Sequence, residues 1–313
     1  MSSEPLTYKP VVHQPLVHQQ LVHQPITGNG LLMRIRRFRH TAYRSPWLAP
    51  ATVLPAAAVL LLLLAVFFPS LLTHHLPDQM DMGAVLQPPG TGHWFGTDPL
   101  GRDVFTRVVY GTSLSLSIGV GAMLIACIGG ILLGTLSALA PLPIRRVLVR
   151  LLDIMLAFPE MLLALLVIAV LGRGPENTLL AVGLAGIASY ARLVRSQVLQ
   201  VKLSGYVEHA VALGEHPLYI VIRHIIPNTL RPLLILATIG VGNAVLSASA
   251  LSFLGLGVVP PTAEWGALLA DGRNFLDIAP WASLFPASVV ALSVIVITLL
   301  GRRLQAILAR GTA

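Results

Sequence analysis

The strongest constraint on this chain is a run of 22 residues without a charge, from Trp47 to Phe68. Wound as a helix at about 1.5 Å per residue, such a run covers the roughly 30 Å hydrocarbon core of a bilayer. Five further apolar stretches follow: Leu114 to Ala140, Val147 to Leu171, Thr178 to Leu193, Leu233 to about Leu254, and Trp281 to Leu300. The fourth is the shortest. Together they predict an all-α polytopic membrane protein with about six transmembrane helices. Composition agrees, because 11% charged residues is far below the roughly 25% of a soluble domain. High hydrophobicity also excludes a disordered chain. The first run begins past residue 46 and is too long for a signal-peptide core, so it reads as an uncleaved anchor. The one cysteine, Cys127, sits in an apolar run, which leaves no intrachain disulfide and no thiolate metal cluster.

Basic residues orient such a chain, because cytoplasmic loops are enriched in Lys and Arg. Lys9, Arg34, Arg36, Arg37, Arg39 and Arg44 precede the first run, and Arg145, Arg146 and Arg150 follow the second. Arg192, Arg195, Lys202, Arg223 and Arg231 crowd the connection after the fourth, and Arg302, Arg303 and Arg310 follow the sixth. The opposite side holds Arg102, Arg107, Arg173 and Arg273, the first two among Asp78, Asp81, Asp98 and Asp103. Seventeen against four predicts that both termini are cytoplasmic. The net charge of +8 is therefore topology, with membrane lipid as its partner and no nucleic acid. The expected layout is a tail at 1–46, an anchor at 47–68, an external segment at 69–113, a core at 114–300 and a tail at 301–313. Within the core lies a cytoplasmic loop at about 194–232, long beside the 2–8 residues usual in helix bundles.

No catalytic or nucleotide site is expected. A P-loop needs Gly-Lys-Ser/Thr, so that backbone amides and the lysine hold phosphates, yet Lys9 follows Tyr8 and Lys202 follows Val201. Neither His-Glu-x-x-His nor Gly-x-Ser-x-Gly occurs. Asp153 and Glu160 are the only acidic residues inside the runs, too few for a relay of carboxylates. If the chain moves a solute uphill, the energy comes from a partner.

Residues 208–227 predict a short helix, a stop at Gly214 and a second helix with Pro217 in its first turn. Leu218, Val221, Ile222 and Ile225 fall on one face by 3–4 spacing. An amphipathic helix in a loop needs a groove, supplied by the membrane surface or by a partner protein. Glu208, Ala210, Gly214 and Pro227 resemble the permease signature of binding-protein-dependent ABC importers, although His209 stands where that signature usually has alanine.

Two further blocks carry the resemblance. His93-Trp94-Phe95-Gly96-Thr97-Asp98-Pro99-Leu100-Gly101-Arg102-Asp103 contains a turn signal at residues 98–101. Phe105, Val108 and Val109 then suggest an interface helix before the second span. Ser252-Phe253-Leu254-Gly255-Leu256-Gly257, with Pro260-Pro261-Thr262-Ala263-Glu264-Trp265-Gly266, predicts an irregular external segment. Both blocks are similar to the dipeptide/oligopeptide/nickel subfamily, in its second (C-type) pore subunit. The resemblance covers roughly residues 45 to 300; Gly301-Arg302-Arg303 replaces the family's usual Gly-Asp near the C-terminus.

The resemblance implies a type I ABC importer permease in a bacterial inner membrane, importing peptides, or alternatively nickel or metal–chelator complexes. It implies as partners a homologous second permease subunit, two cytoplasmic ATPase subunits or domains, and an external solute-binding protein. ATP and Mg are then used by the ATPases, with no cofactor in this chain. Glu208, His209, Ala210, Gly214, Pro217, Leu218, Arg223 and Pro227 become the ATPase-coupling residues. Trp94, Gly96, Asp98, Gly101, Arg102, Asp103, Glu264 and Trp265 become an external gate or binding-protein dock, against a purely structural turn as the plainer reading. Two other classes stay open on the residues alone: a self-sufficient channel or secondary carrier, and a membrane scaffold.

Arg150 and Asp153, three apart, are expected to pair. Glu160 follows Pro159 deeper in the same run. Intramembrane charges face a bundle interior or a pathway, so Asp153 and Glu160 are pathway candidates. The competing reading for each is a carboxylate satisfied by a neighbouring subunit. Val-His-Gln recurs at residues 12–14, 17–19 and 22–24. Histidines five apart do not stack on one helical face, so this tract reads as a solvated linker rather than a metal site. Arg34 to Arg39 read as a membrane-surface anchor.

Overall fold

The computed structural model describes residues 50–310. The Val-His-Gln repeat and the basic cluster at 34–39 lie outside the described residues. Ten α-helices occur among those described. They are α1 (Pro50–Phe67), α2 (Val104–Leu139), α3 (Leu142–Ala157), α4 (Glu160–Leu171) and α5 (Pro175–Lys202). After these come α6 (Gly205–Ala212), α7 (Pro217–Ile220), α8 (Ile226–Phe253), α9 (Trp265–Gly272) and α10 (Trp281–Arg310). A π turn at Val221–Ile225 joins α7 to α8.

Each expected apolar run contains a helix, but the helices are not six equal spans. Val104–Leu139, Pro175–Lys202, Ile235–Phe253 and Trp281–Ile307 are each long and apolar enough to cross a bilayer. The apolar stretch of α1, Thr52–Phe67, is shorter. The run from Val147 to Leu171 is not one straight span, because α3 and α4 meet at 96°. Pro159 causes the bend. It brings no N–H to the helix, and its ring forces Phe158 into an extended conformation (φ −90°, ψ 139°). α3 carries Arg145, Arg146 and Arg150, buries only Leu152, and lies against α2 and α5. α4 packs into the main core through Ala164 and Ile168, while Leu152 of α3 packs against Ala188 and Ala191 of α5.

Two other expectations change. No separate interface helix precedes the second span: the Asp103 carboxylate accepts from the Thr106 N–H at 2.7 Å, and α2 then runs unbroken for 36 residues. The loop is also shorter than 194–232, because α5 continues to Lys202 and Pro227 and Pro232 lie within α8.

Glycines set the closeness of the bundle. A Cβ on Gly130 of α2 would sit 2.5 Å from the Cβ of Tyr190 on α5, and one on Gly134 would sit 2.6 Å from the Ala191 carbonyl. Small residues of this kind let helices approach where lipid supplies no hydrophobic drive. α8 closes on the same core through Ala244, Ala248 and Leu251, which pack with Ile118, Ala181 and Ala185. α10 packs on α8, and α1 leans on α2 and α10.

Candidate functional site

The residues singled out by sequence gather at three levels along α2. Where α2 begins, the segment before it folds into a cap. The Asp98 carboxylate accepts from the backbone N–H of Leu100 and Arg102 at 2.8 and 3.0 Å, and from the Arg102 Nε at 2.6 Å. Arg102 also lies 3.7 Å from Asp271 on α9. Asp103 joins His93 Nδ1 at 2.9 Å. Gly96 and Gly101 hold φ of +70° and +73°. At Gly101 a Cβ would fall 1.8 Å from the Asp81 carbonyl, so only glycine fits the turn.

Glu264 caps α9, accepting from Gly266 N and Ala267 N, both at 2.9 Å, and from the Ser115 hydroxyl at 3.1 Å. The Trp265 indole N–H donates to the Val108 carbonyl at 3.0 Å. Gly96, Asp98, Gly101, Arg102, Asp103, Glu264 and Trp265 are therefore buried, and of the eight expected dock residues only Trp94 is exposed, at 64%.

Arg107, which the motif reading did not single out, ties the cap together. Its guanidinium, 1% exposed, donates to the carbonyls of Pro77 and Pro261, both at 3.1 Å, and meets Asp78 at 3.4 Å. It thus joins the segment before α2 to the loop before α9. The available signal was an arginine on the side otherwise poor in basic residues. Burial pushes the Asp271 carboxyl above the usual range, against the opposing pull of Arg107 and Arg102.

At the far end of α2, the loop forms the expected helix–turn–helix. α6 ends before Gly214 at φ +77°, with Gly214 N and Glu215 N donating to the carbonyls of Val211 and Ala210. Pro217 starts α7, and Leu218 N donates to His216 Nδ1. Val207, Ala210, Ile220 and Ile225 pack with Ala138, Val194 and Val198. The expected single apolar face is split, however. The π turn buries Ile220 and Ile225, five apart, and leaves Leu218 and Ile222 outward at 61% and 59% exposure. Leu203, Tyr206, Val211, Leu213 and Tyr219 are exposed as well. Glu208, His209, Gly214, Pro217, Leu218, Arg223 and Pro227 are exposed, and Ala210 is buried.

Between these ends, near the midpoints of α2, α5 and α8, lies a cavity of about 400 Å³. Glu160, at the start of α4, lines it with Ser189, Tyr190 and Asn243. Asp153 does not line it. The bend at Pro159 lays α3 along α5, where Asp153 pairs with Arg192 at 3.3 Å instead of with Arg150.

Apolar helices long enough to cross a membrane, a capped end, a projecting helical loop and a cavity between the helices fit a membrane permease. The chain belongs to the family described as "Binding-protein-dependent transport system inner membrane component", which matches residues 130–313. It is an inner-membrane permease subunit of an ABC importer. It is 41% identical over 244 residues to the dipeptide transport system permease protein DppC of Alkalihalophilus pseudofirmus, covering 78% of this chain and 80% of that one. It is 38% identical to the probable D,D-dipeptide transport system permease protein DdpC of Escherichia coli, covering 81% and 85%. With the glutathione transport system permease protein GsiD of Pectobacterium atrosepticum it shares 34% over 88% and 94%. Among solved structures, the inward-facing MetNI methionine ABC transporter superposes with a TM-score of 0.54 at 18% identity, covering 64% of this chain and 96% of that one. At that identity the likeness is one of fold.

Proposed function

We propose that the chain is one half of a heteromeric pore importing short peptides, and that residues 203–225 are the surface on which a cytoplasmic ATPase docks. The carrying observation is the exposed apolar surface of Leu213, Leu218, Tyr219 and Ile222, raised on a rigid turn at one end of the bundle. Large apolar groups turned outward at a loop mark a protein or membrane contact. The loop is continuous with α5 at one end and, through the π turn, with α8 at the other. Both helices line the cavity. A pull on the loop as the ATPase dimer closes would therefore move the cavity walls and alternate access by rigid-body movement.

In this reading the loop and both termini face the cytoplasm, and ATP and Mg belong to the ATPase partners. In the same reading the hydrolytic groups belong to those partners and not to this chain. A homologous subunit forms the other half of the pore. An external solute-binding protein docks on the cap near Trp94, with the buried charges beneath holding that surface in shape. Peptides are the substrate class because the relatives above are named for dipeptides and glutathione.

Reconstitution in proteoliposomes tests the proposal. Dipeptide uptake is expected only with the second pore subunit, the ATPases, ATP and loaded binding protein together. Uptake by this chain without ATP would instead identify a carrier or channel, and a transporter indifferent to Gly214→Asp would remove the docking role of the loop.

A further inference from the structure

The cavity at the middle of the bundle gathers four polar side chains. Several hydroxyls elsewhere on the same helices close on their own backbone: Ser196 donates to the Leu193 carbonyl and Thr238 to that of Ile235, each at 2.7 Å, although the buried Ser249 does not. The four polar side chains lining the cavity do not. Glu160, Ser189, Tyr190 and Asn243 make no side-chain hydrogen bond or ion pair among the described residues. Glu160, Ser189 and Asn243 are exposed and Tyr190 is half-buried, and these four line one open-sided space, where they are free to meet a ligand. That space is kept open by small residues. A Cβ on Gly240 would stand 2.2 Å from the Tyr190 hydroxyl.

The set has a definite chemistry: one carboxylate, three neutral hydrogen-bonding groups, no lysine or arginine, and an apolar remainder that includes Met123, Leu236 and Ile239. It is complementary to an ammonium group followed by an amide and an apolar side chain. It offers nothing cationic to a free carboxylate. We infer that this cavity is a transient holding site for the amino-terminal end of a passing peptide, with Glu160 facing the ammonium and Ser189, Tyr190 and Asn243 facing the first peptide group. The inference rests on the peptide-importer reading above and deepens it.

The test uses the complete reconstituted transporter, saturating wild-type binding protein, and a dipeptide with a free amino terminus. Glu160→Gln is expected to lower uptake about tenfold, the scale of one charge-assisted hydrogen bond. Glu160→Asp is expected to recover most of it, and Tyr190→Phe and Asn243→Ala are expected to lower uptake about threefold. Binding-protein-stimulated ATP hydrolysis should fall much less than uptake in all four variants. A dipeptide amidated at its carboxyl terminus, once bound by the binding protein, should enter at the unmodified rate. Unchanged uptake in Glu160→Gln overturns the inference. So does loss of the second pore subunit from the purified Glu160→Gln complex, which would make Glu160 a subunit contact. Equal loss of uptake and of ATP hydrolysis in both Glu160 variants overturns it too, since that is a structural effect. If the wild-type transporter takes up no dipeptide, the peptide reading itself fails, and this inference falls with it.

Discussion

At its Val104 end α2 is surrounded by charges paired within the chain, whereas at its Leu139 end it meets a loop whose large apolar side chains face outward. Asp98, Arg102, Asp103, Arg107 and Glu264 are all buried, and between them they tie residues 77–107, the loop before α9 and α9 itself into one piece. Around α6 and α7, Leu213 is 82% exposed, and Glu215 meets His224 Nε2 at 3.3 Å. The cap pairs nearly all of its buried charges within the chain, with Arg107 Nε alone lacking a hydrogen bond among them; the loop is left for another protein to complete. A substitution in the cap should therefore unfold, and one on the loop should uncouple.

The cap offers the largest effect. Arg107→Ala removes a guanidinium that bridges two segments and leaves Asp78 and two carbonyls without their donor. Breaking a buried charged network costs about 3–5 kcal/mol. Thermal unfolding of the purified chain should fall accordingly, and Arg107→Lys should not restore it, because one ammonium cannot reach the same fork of acceptors. A variant as stable as the wild type would mean that the cap is not the self-sufficient end.

The loop should behave in the opposite way. Leu218→Asp places a charge on an exposed position, so the melting temperature of the isolated chain should not change. ATPase binding should weaken by at least about thirtyfold, the scale of losing one interface hot spot. Lost stability with normal ATPase binding would reverse the comparison.

The same contrast explains what could be read from sequence. The helix–turn–helix at 208–227 was legible because Gly214 and Pro217 act through local backbone chemistry. The helical runs were legible because a bilayer imposes length. The bend at Phe158–Pro159 was present as a proline signal inside a run whose hydrophobicity pointed to a straight span, and the proline prevailed. The split apolar face of residues 218–225 could not be read, because the 3–4 spacing assumes a regular α-helix, whereas a π turn at Val221–Ile225 puts Ile220 and Ile225 against Val194 and Val198. Arg107 was missed for a related reason: its acceptors are backbone carbonyls 30 and 154 residues away. Asp153 and Glu160 looked alike in sequence, and only the bend separates them, turning one outward and the other into the cavity.

A smaller effect belongs to the turn. Gly214 holds φ +77° with open space around the position a Cβ would take, so Gly214→Ala meets no steric clash and bears only the cost of a left-handed backbone. That cost is about 1–2 kcal/mol, confined to residues 212–217. Limited proteolysis within the loop should accelerate while global melting stays close to wild type. A large drop in global melting would mean that the loop is integrated with the bundle as firmly as the cap.

The smallest effect is expected at Asp153, and it sharpens the comparison most where the sequence was least decisive. Asp153 and Arg192 are 56% and 66% exposed and 3.3 Å apart, on the outer side of the α3–α5 contact. Exposed pairs of this kind contribute about 0–1 kcal/mol. Asp153→Asn should therefore leave both melting and dipeptide uptake within error of the wild type, beside the tenfold loss expected for Glu160→Gln. Should Asp153→Asn impair uptake while sparing stability, the exposed face of α3 would have to meet the substrate or the second pore subunit, and the translocation route would run along α3 rather than through the cavity beside Glu160.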